Sequence, residues 1–210
     1  MSAGLIRTVG LVSGPIPVDE LEAFLCRSAH ALHERLLWRM LDETAALAQE
    51  VRLLDVEDLG LANRRATVIG KGGDAELIVW ATATARLLPR YLAKRTSGPL
   101  FLSALAPAPA RQPAGSDRDT VTGRGRLSYR RAAQQFADAT GTRWTPHQLR
   151  DSRLPHLAES GVEVPLLMAK SRDASIRTLG LYAKPSFHAM AVATARLDPA
   201  AGRRMSRVPR

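Results

Sequence analysis

The stretch Asp55–Trp80, "DVEDLGLANRRATVIGKGGDAELIVW", decides the fold class. Upstream, apolar residues recur at helical spacing. Here the pattern changes. "RATVIG" and "AELIVW" are rich in β-branched and apolar residues, and the "KGGD" between them carries the glycine chemistry of a tight hairpin. One short hairpin inside an otherwise helical chain predicts an α+β domain, mainly α, with one small antiparallel sheet near its middle.

Working outward, "VDELEAFL" has an acidic first turn and apolar spacing, which predicts a short helix. "ALHERLLWRMLDETAALAQEVRLL" places Leu32, Leu36, Leu37, Met40, Leu41 and Leu47 on one side. It reads as the main core helix, or as a helix with a break near Thr44 to Ala46. After the hairpin, "TATARLLPRYLAKR" reads as a helix despite Pro89, and "PLFLS" as a short extended piece. "ALAPAPARQPAGSDRDTVTGRGR" is rich in Pro, Gly and Ala and reads as a flexible insert over about 104–126. "LSYRRAAQQFADAT" is a helix capped by Ser128, with Arg130 and Arg131 exposed. "TPHQLRDSRLPHLAES" is the next, with Thr145 as N-cap, Pro146 as first residue and Pro155 ending or kinking it. "PLLMAKS", "SIRTLGLYA" and "SFHAMAVATARL" are expected to form further helices. Residues 1–14 read as an arm, 15–197 as one domain and 198–210 as a basic tail.

The chain has 210 residues and is 45% hydrophobic, enough for one sizeable domain. Aromatics are 5%, so the core is expected to rest on Leu, Val and Ala. A formal charge of +10, carried mostly by Arg, points first to nucleic acid and then to an acidic membrane surface. High-GC coding bias explains Arg over Lys better than it explains the sign. The single cysteine, Cys26, excludes an intrachain disulfide and fits a reducing cytoplasm; its apolar surroundings, "LEAFLC", predict a core position. The sequence has no apolar run of about 18 residues and no recognisable signal peptide, so a cytoplasmic protein without a membrane partner is expected. No metal-ligand spacing or Walker loop occurs, and no cofactor is expected.

Three motifs remain: "GKGG" with Lys71, "HQLR" with His147 and Arg150, and "LMAKSRDASIRTLGLYAKPS" with Tyr182. Each alone is ordinary: a turn lysine, a solvated helix face, a tyrosine at a helix end. Together, in this order and spacing from about Pro15 to Leu197, they resemble the catalytic domain of tyrosine recombinases, the phage-integrase family. The resemblance implies that family's helical catalytic domain with a small three-stranded antiparallel sheet. It implies site-specific DNA cleavage and rejoining through a 3′-phosphotyrosyl link. It further implies a double-stranded DNA partner and a homo-oligomer on DNA. Tyr182 falls on the nucleophile, Lys71 on the hairpin lysine, His147 and Arg150 on the H-x-x-R pair.

Two positions depart from the pattern. Leu47 stands where the family carries its first arginine, with Glu50 matching the acidic residue that follows, and Asp173 stands at the late histidine. A phosphodiester under attack gains negative charge, which preorganised cations stabilise. Leu47 removes one such cation, and its spacing from Met40 suits core packing instead; Asp173 adds a repelling charge. Asp151 is placed to compete for Arg150. Impaired recombination is therefore expected, and the alternative is a catalytically inactive DNA-binding protein on the same scaffold. Arg130, Arg131, Lys170 and Arg177 are candidate DNA contacts. Little sequence precedes the domain, so an N-terminal DNA clamp is not expected.

Overall fold

The structure is a computed structural model that describes residues 14–70, 72–106, 108, 113–172, 191, 194 and 195. Helix α1, Val18–Leu25, coincides with "VDELEAFL" and buries Leu21, Phe24 and Leu25. Cys26 follows it as the C-cap and is exposed, not core: its backbone is still helical, and the thiol falls on the exposed face above Glu22, 3.8 Å from Glu22 Oε2. Helix α2, Leu32–Thr44, is the central element and packs chiefly against the later helices α4 (Thr82–Leu92) and α6 (Pro146–Glu159).

The long apolar stripe breaks where the sequence suggested. Thr44 Oγ1 donates back to the Met40 carbonyl at 2.7 Å and accepts from Ala46 N–H at 3.1 Å, while Ala45 turns left-handed at φ 53°. A second helix, α3 (Ala48–Leu53), then starts with Leu47 as its N-cap. Leu47 is therefore half-exposed at a helix start rather than packed on the stripe; the heptad count from Met40 fails because the helix does not continue through it.

The sheet is antiparallel in the order β1 (Leu59–Gly60), β2 (Arg65–Ile69), β3 (Ala75–Val79). Alternation buries Ala66, Val68 and Ile78, one face only, as a sheet lying on helices requires. The hairpin closes with Gly70 N–H to the Asp74 carbonyl at 2.9 Å and Gly73 N–H to the Gly70 carbonyl at 3.0 Å; Gly73 has φ 88°, a conformation that favours glycine. Lys71 lies outside the described residues. Helix α4 runs through Pro89 to Leu92. Its start lacks a capping side chain of its own, and Glu43 of α2 substitutes, accepting from Ala81 and Thr84 N–H at 2.8 and 3.2 Å.

"PLFLS" forms isolated bridges, Asp55 to Pro99 and Leu102 to Arg126, and buries Leu100, Phe101 and Leu102. The second half of the Pro/Gly-rich insert is held at many points, chiefly through the Arg126 guanidinium. Helix α5, Tyr129–Thr140, is capped by Ser128, whose hydroxyl accepts from Arg131 N–H at 3.2 Å; Arg130 and Arg131 are exposed. Helix α6 begins as expected, with Thr145 as N-cap, Pro146 first, and Gln148 reaching back to accept from Thr145 N–H at 2.8 Å. It does not end at Pro155 but continues to Glu159. Proline removes one intrahelical bond, and the burial of Leu149, Ser152 and Leu154 outweighs that loss. Helix α7, Val164–Ser171, matches "PLLMAKS". The helices expected for "SIRTLGLYA" and "SFHAMAVATARL" lie mainly outside the described residues.

The core is leucine-rich, yet its centre is aromatic. Phe24 meets Trp38, Phe136 and Trp144 at centroid distances of 5.0, 5.5 and 5.7 Å, so a small aromatic supply joins α1, α2, α5 and the lead into α6. Beside it, Asp42 is 2% exposed and burial pushes its carboxyl up to about 6, against the opposing pull of Arg153 and Arg39. The folded form thus binds its proton more tightly than the unfolded one, and stability falls as pH rises from about 4 to 6. The difference corresponds to about 3 kcal/mol at most. Asp42→Asn is expected to raise the urea midpoint at pH 7.5 and to leave it nearly unchanged at pH 4.

Candidate active site

Arg150 projects from α6 onto two main-chain carbonyls. Nη1 donates to Ala45 at 2.5 Å and Nη2 to Ser171 at 2.7 Å. One guanidinium thus fastens α6 both to the left-handed α2–α3 junction and to the end of α7. Leu47 lies at that junction, two residues past Ala45, and Asp173 follows the end of α7 by one residue past Arg172. Arg150 is therefore held at the junction that carries Leu47 and, at its other end, on the α7 carbonyl two residues before Asp173 in the chain. His147 sits in the first turn of α6, where exposed N–H groups and the positive helix end favour an anion. It is largely exposed, and its Nε2 lies 3.5 Å from Asp151 Oδ1. Asp151 thus faces the histidine of the pair.

A second cluster adjoins the first. Glu50, in α3, accepts from Leu47 N–H at 2.8 Å and from Arg172 Nη2. Arg172 caps α7 in the left-handed region at φ 55°, with a side chain only 6% exposed. Its Nε lies 2.9 Å from Glu76 Oε2 on β3, a charge-to-charge contact rather than a directed hydrogen bond. The Glu76 carboxylate in turn lies against Gly70, the residue before Lys71: a Cβ on Gly70 would come 2.9 Å from the Glu76 carboxyl carbon. Arg172 escaped the sequence reading. Its partners are distant in the chain, and the one available signal was a non-glycine residue at a helix C-cap.

Among the other candidates, Lys170 turns its ammonium to the Val79 carbonyl at 2.9 Å, on the edge of β3. Burial first, and then Arg153, lower its pKa to about 8. Arg130 and Arg131 lie on the exposed face of α5. Lys71, Asp173, Arg177 and Tyr182 lie outside the described residues. What the fold brings together is Arg150, Leu47, the residue preceding Lys71 and the residue preceding Asp173.

The chain matches the phage integrase family over residues 17–188. It is 28% identical over 165 residues to the tyrosine recombinase XerD of Mycobacterium tuberculosis (strain ATCC 25618 / H37Rv), covering 76% of this chain and 50% of that protein. It is 26% identical over 152 residues to the tyrosine recombinase XerC of Mycobacterium sp. (strain KMS), covering 72% and 49%. The chain therefore spans about half the length of these relatives. Among solved structures, XerA recombinase superposes with a TM-score of 0.67 at 16% identity, over 90% of this chain and 65% of that one. XerH site-specific recombinase bound to difH substrate gives 0.61 at 19% identity, over 94% and 58%. At these identities the structural likeness speaks to the fold. A helical domain with a three-stranded antiparallel sheet, ordered motifs at its α2–α3 junction, hairpin and α6, and a family match across most of its length together make this chain a member of the tyrosine recombinase (phage integrase) family.

Proposed function

We propose that this chain acts on double-stranded DNA as a site-specific strand-transfer domain with Tyr182 as nucleophile, and that its chemistry is impaired. The observation that carries the reading is the convergence at Arg150, which joins α6 to the α2–α3 junction and the α7 end. In the proposed reaction the Tyr182 phenol gives up its proton to solvent as its oxygen attacks a backbone phosphorus, and the P–O5′ bond breaks. Lys71 gives a proton to the departing 5′-oxygen, leaving a 3′-phosphotyrosyl link and a free 5′-hydroxyl. Attack by a 5′-hydroxyl reverses the sequence and rejoins a strand. Arg150 and His147 neutralise charge gathering on the non-bridging oxygens.

Leu47 is the reason for impairment. It offers an alkyl group where the family pattern has a guanidinium, and losing one such donor lowers a rate by roughly 10²–10³-fold. Asp173 adds a carboxylate where the family pattern has a histidine. A nicked suicide DNA substrate tests both points. Wild type is expected to form a slow covalent adduct that Tyr182→Phe abolishes, and the double substitution Leu47→Arg, Asp173→His to form it roughly 10²-fold faster. A fast wild-type adduct would overturn the impairment. No adduct from any variant, with DNA affinity that still falls steeply with salt, would favour the alternative: a DNA-binding protein that keeps the scaffold without the reaction.

A further inference from the structure

We propose that Arg172 is a positioning residue for strand cleavage, tying the base of the lysine hairpin to the α2–α3 junction. The inference rests on the reading of Lys71 and Tyr182 given above, and it goes beyond the positions that the family pattern supplies. Leu47 leaves Glu50 with no cation from the helix start it caps. Arg172 supplies one from the far end of α7, with its Nη2 on Glu50 Oε2 and its Nε 2.9 Å from Glu76 Oε2. Two carboxylates from different elements therefore share one buried guanidinium, and neither can move without leaving the other's partner short of charge.

Three segments meet at this one side chain. Glu50 belongs to the helix that Leu47 starts. Glu76 belongs to β3, and its carboxylate packs on Gly70 at the hairpin base. Arg172 itself precedes the stretch that leads to Tyr182. The backbone supports the assignment. A left-handed helix C-cap is ordinarily glycine or asparagine, because a Cβ is disfavoured there. An arginine at φ 55° is retained where its side chain makes contacts those residues could not. Arg172 is not placed to bind phosphate, since its Nε and Nη2 face carboxylates and its side chain is 6% exposed. Its effect passes through the hairpin: reacting groups displaced by about 1 Å lose about 10²-fold in rate.

The test uses the full chain in four forms: wild type, Arg172→Met, Arg172→Lys and Glu76→Gln. The last removes only the hairpin arm and leaves Glu50 with Arg172, so it remains informative if Arg172→Met fails to fold. Amide hydrogen exchange of β2, Gly70 and β3 is expected to quicken at least tenfold in Glu76→Gln and Arg172→Met. Exchange in α5 should stay unchanged, and Arg172→Lys should recover part of the protection. With nicked suicide DNA, the limiting rate of adduct formation should fall about 10²-fold while the half-saturating DNA concentration stays within threefold. Unchanged hairpin exchange in Glu76→Gln overturns the proposal, as does quickened exchange that extends equally through α5. If wild type forms no adduct, the cleavage reading fails, and the exchange result alone decides whether Arg172 ties the hairpin.

Discussion

Replacing Arg150 with alanine is expected to lower formation of the covalent Tyr182–DNA adduct by roughly 10²–10³-fold, the usual loss when one preorganised donor to a developing anion is removed. The same change should also loosen the fold. Arg150 donates to the Ala45 and Ser171 carbonyls, and charge-assisted bonds of this kind contribute about 1.5–3 kcal/mol each. The two effects separate in Arg150→Lys. A lysine keeps the charge but has no planar fork, so it cannot hold both carbonyls in the same geometry. It should retain salt-sensitive DNA affinity and most of the stability, yet form adduct slowly. Single-turnover trapping on nicked DNA, with thermal melting alongside, checks all three outcomes. Should wild type react too slowly to measure, the same comparison in the Leu47→Arg, Asp173→His background restores the range. An Arg150→Ala protein that traps DNA within threefold of its parent would show that this guanidinium is only a structural staple.

The second large effect lies away from the candidate site. Arg126→Ala is expected to destabilise the domain by about 3 kcal/mol, since breaking one partner out of a buried ionic cluster leaves the others uncompensated. Its guanidinium, 7% exposed, binds Asp117 Oδ1 at 2.6 Å and Asp55 Oδ1 at 2.8 Å. It also donates to the Leu53 and Leu54 carbonyls at 2.8 and 3.0 Å. Those carbonyls end α3, so Arg126 both caps that helix and ties the Pro/Gly-rich stretch to it. Burial disfavours its charge, but the hydrogen bonds to Asp117 and Asp55 outweigh burial and raise its pKa. The carboxylates are partly exposed, which keeps the expected loss below the largest values for such clusters. Urea denaturation should show a lower midpoint with little change in slope. A loss under about 1 kcal/mol would mean that solvent replaces these bonds on the native protein.

The elements most legible in the sequence were those whose limits depend on local chemistry. Ser128 and the Thr145–Pro146 pair mark the starts of α5 and α6 because an N-cap is a contact between near neighbours. The hairpin was readable because its turn needs glycine at Gly73 and its strands alternate. Leu47 was misplaced for the same reason that the helices were found. Apolar periodicity runs on through Thr44; the sequence leaves two readings open there, one of them a break near Thr44 to Ala46, and the Thr44 side-chain bond that decides for it is not visible in the spacing. Cys26 was misplaced because it is adjacent in sequence to Phe24 and Leu25 but lies on the Glu22 face of α1, not on theirs. Pro155 was over-weighted because the burial that offsets a missing intrahelical bond comes from other parts of the chain.

By itself, the sequence determined the fold class, the starts of α5 and α6, the hairpin, the basic charge and the order of motifs that places the chain in its family. Only the tertiary structure decided that Arg150 grips the α2–α3 junction and the α7 end, that Arg172 joins Glu50 to Glu76, and that Arg126 holds down the insert. Caps, turns and periodicity are set by residues a few positions apart. Glu50 and Arg172 are separated by 122 positions, and a contact of that range exists only once the core has brought the two elements together.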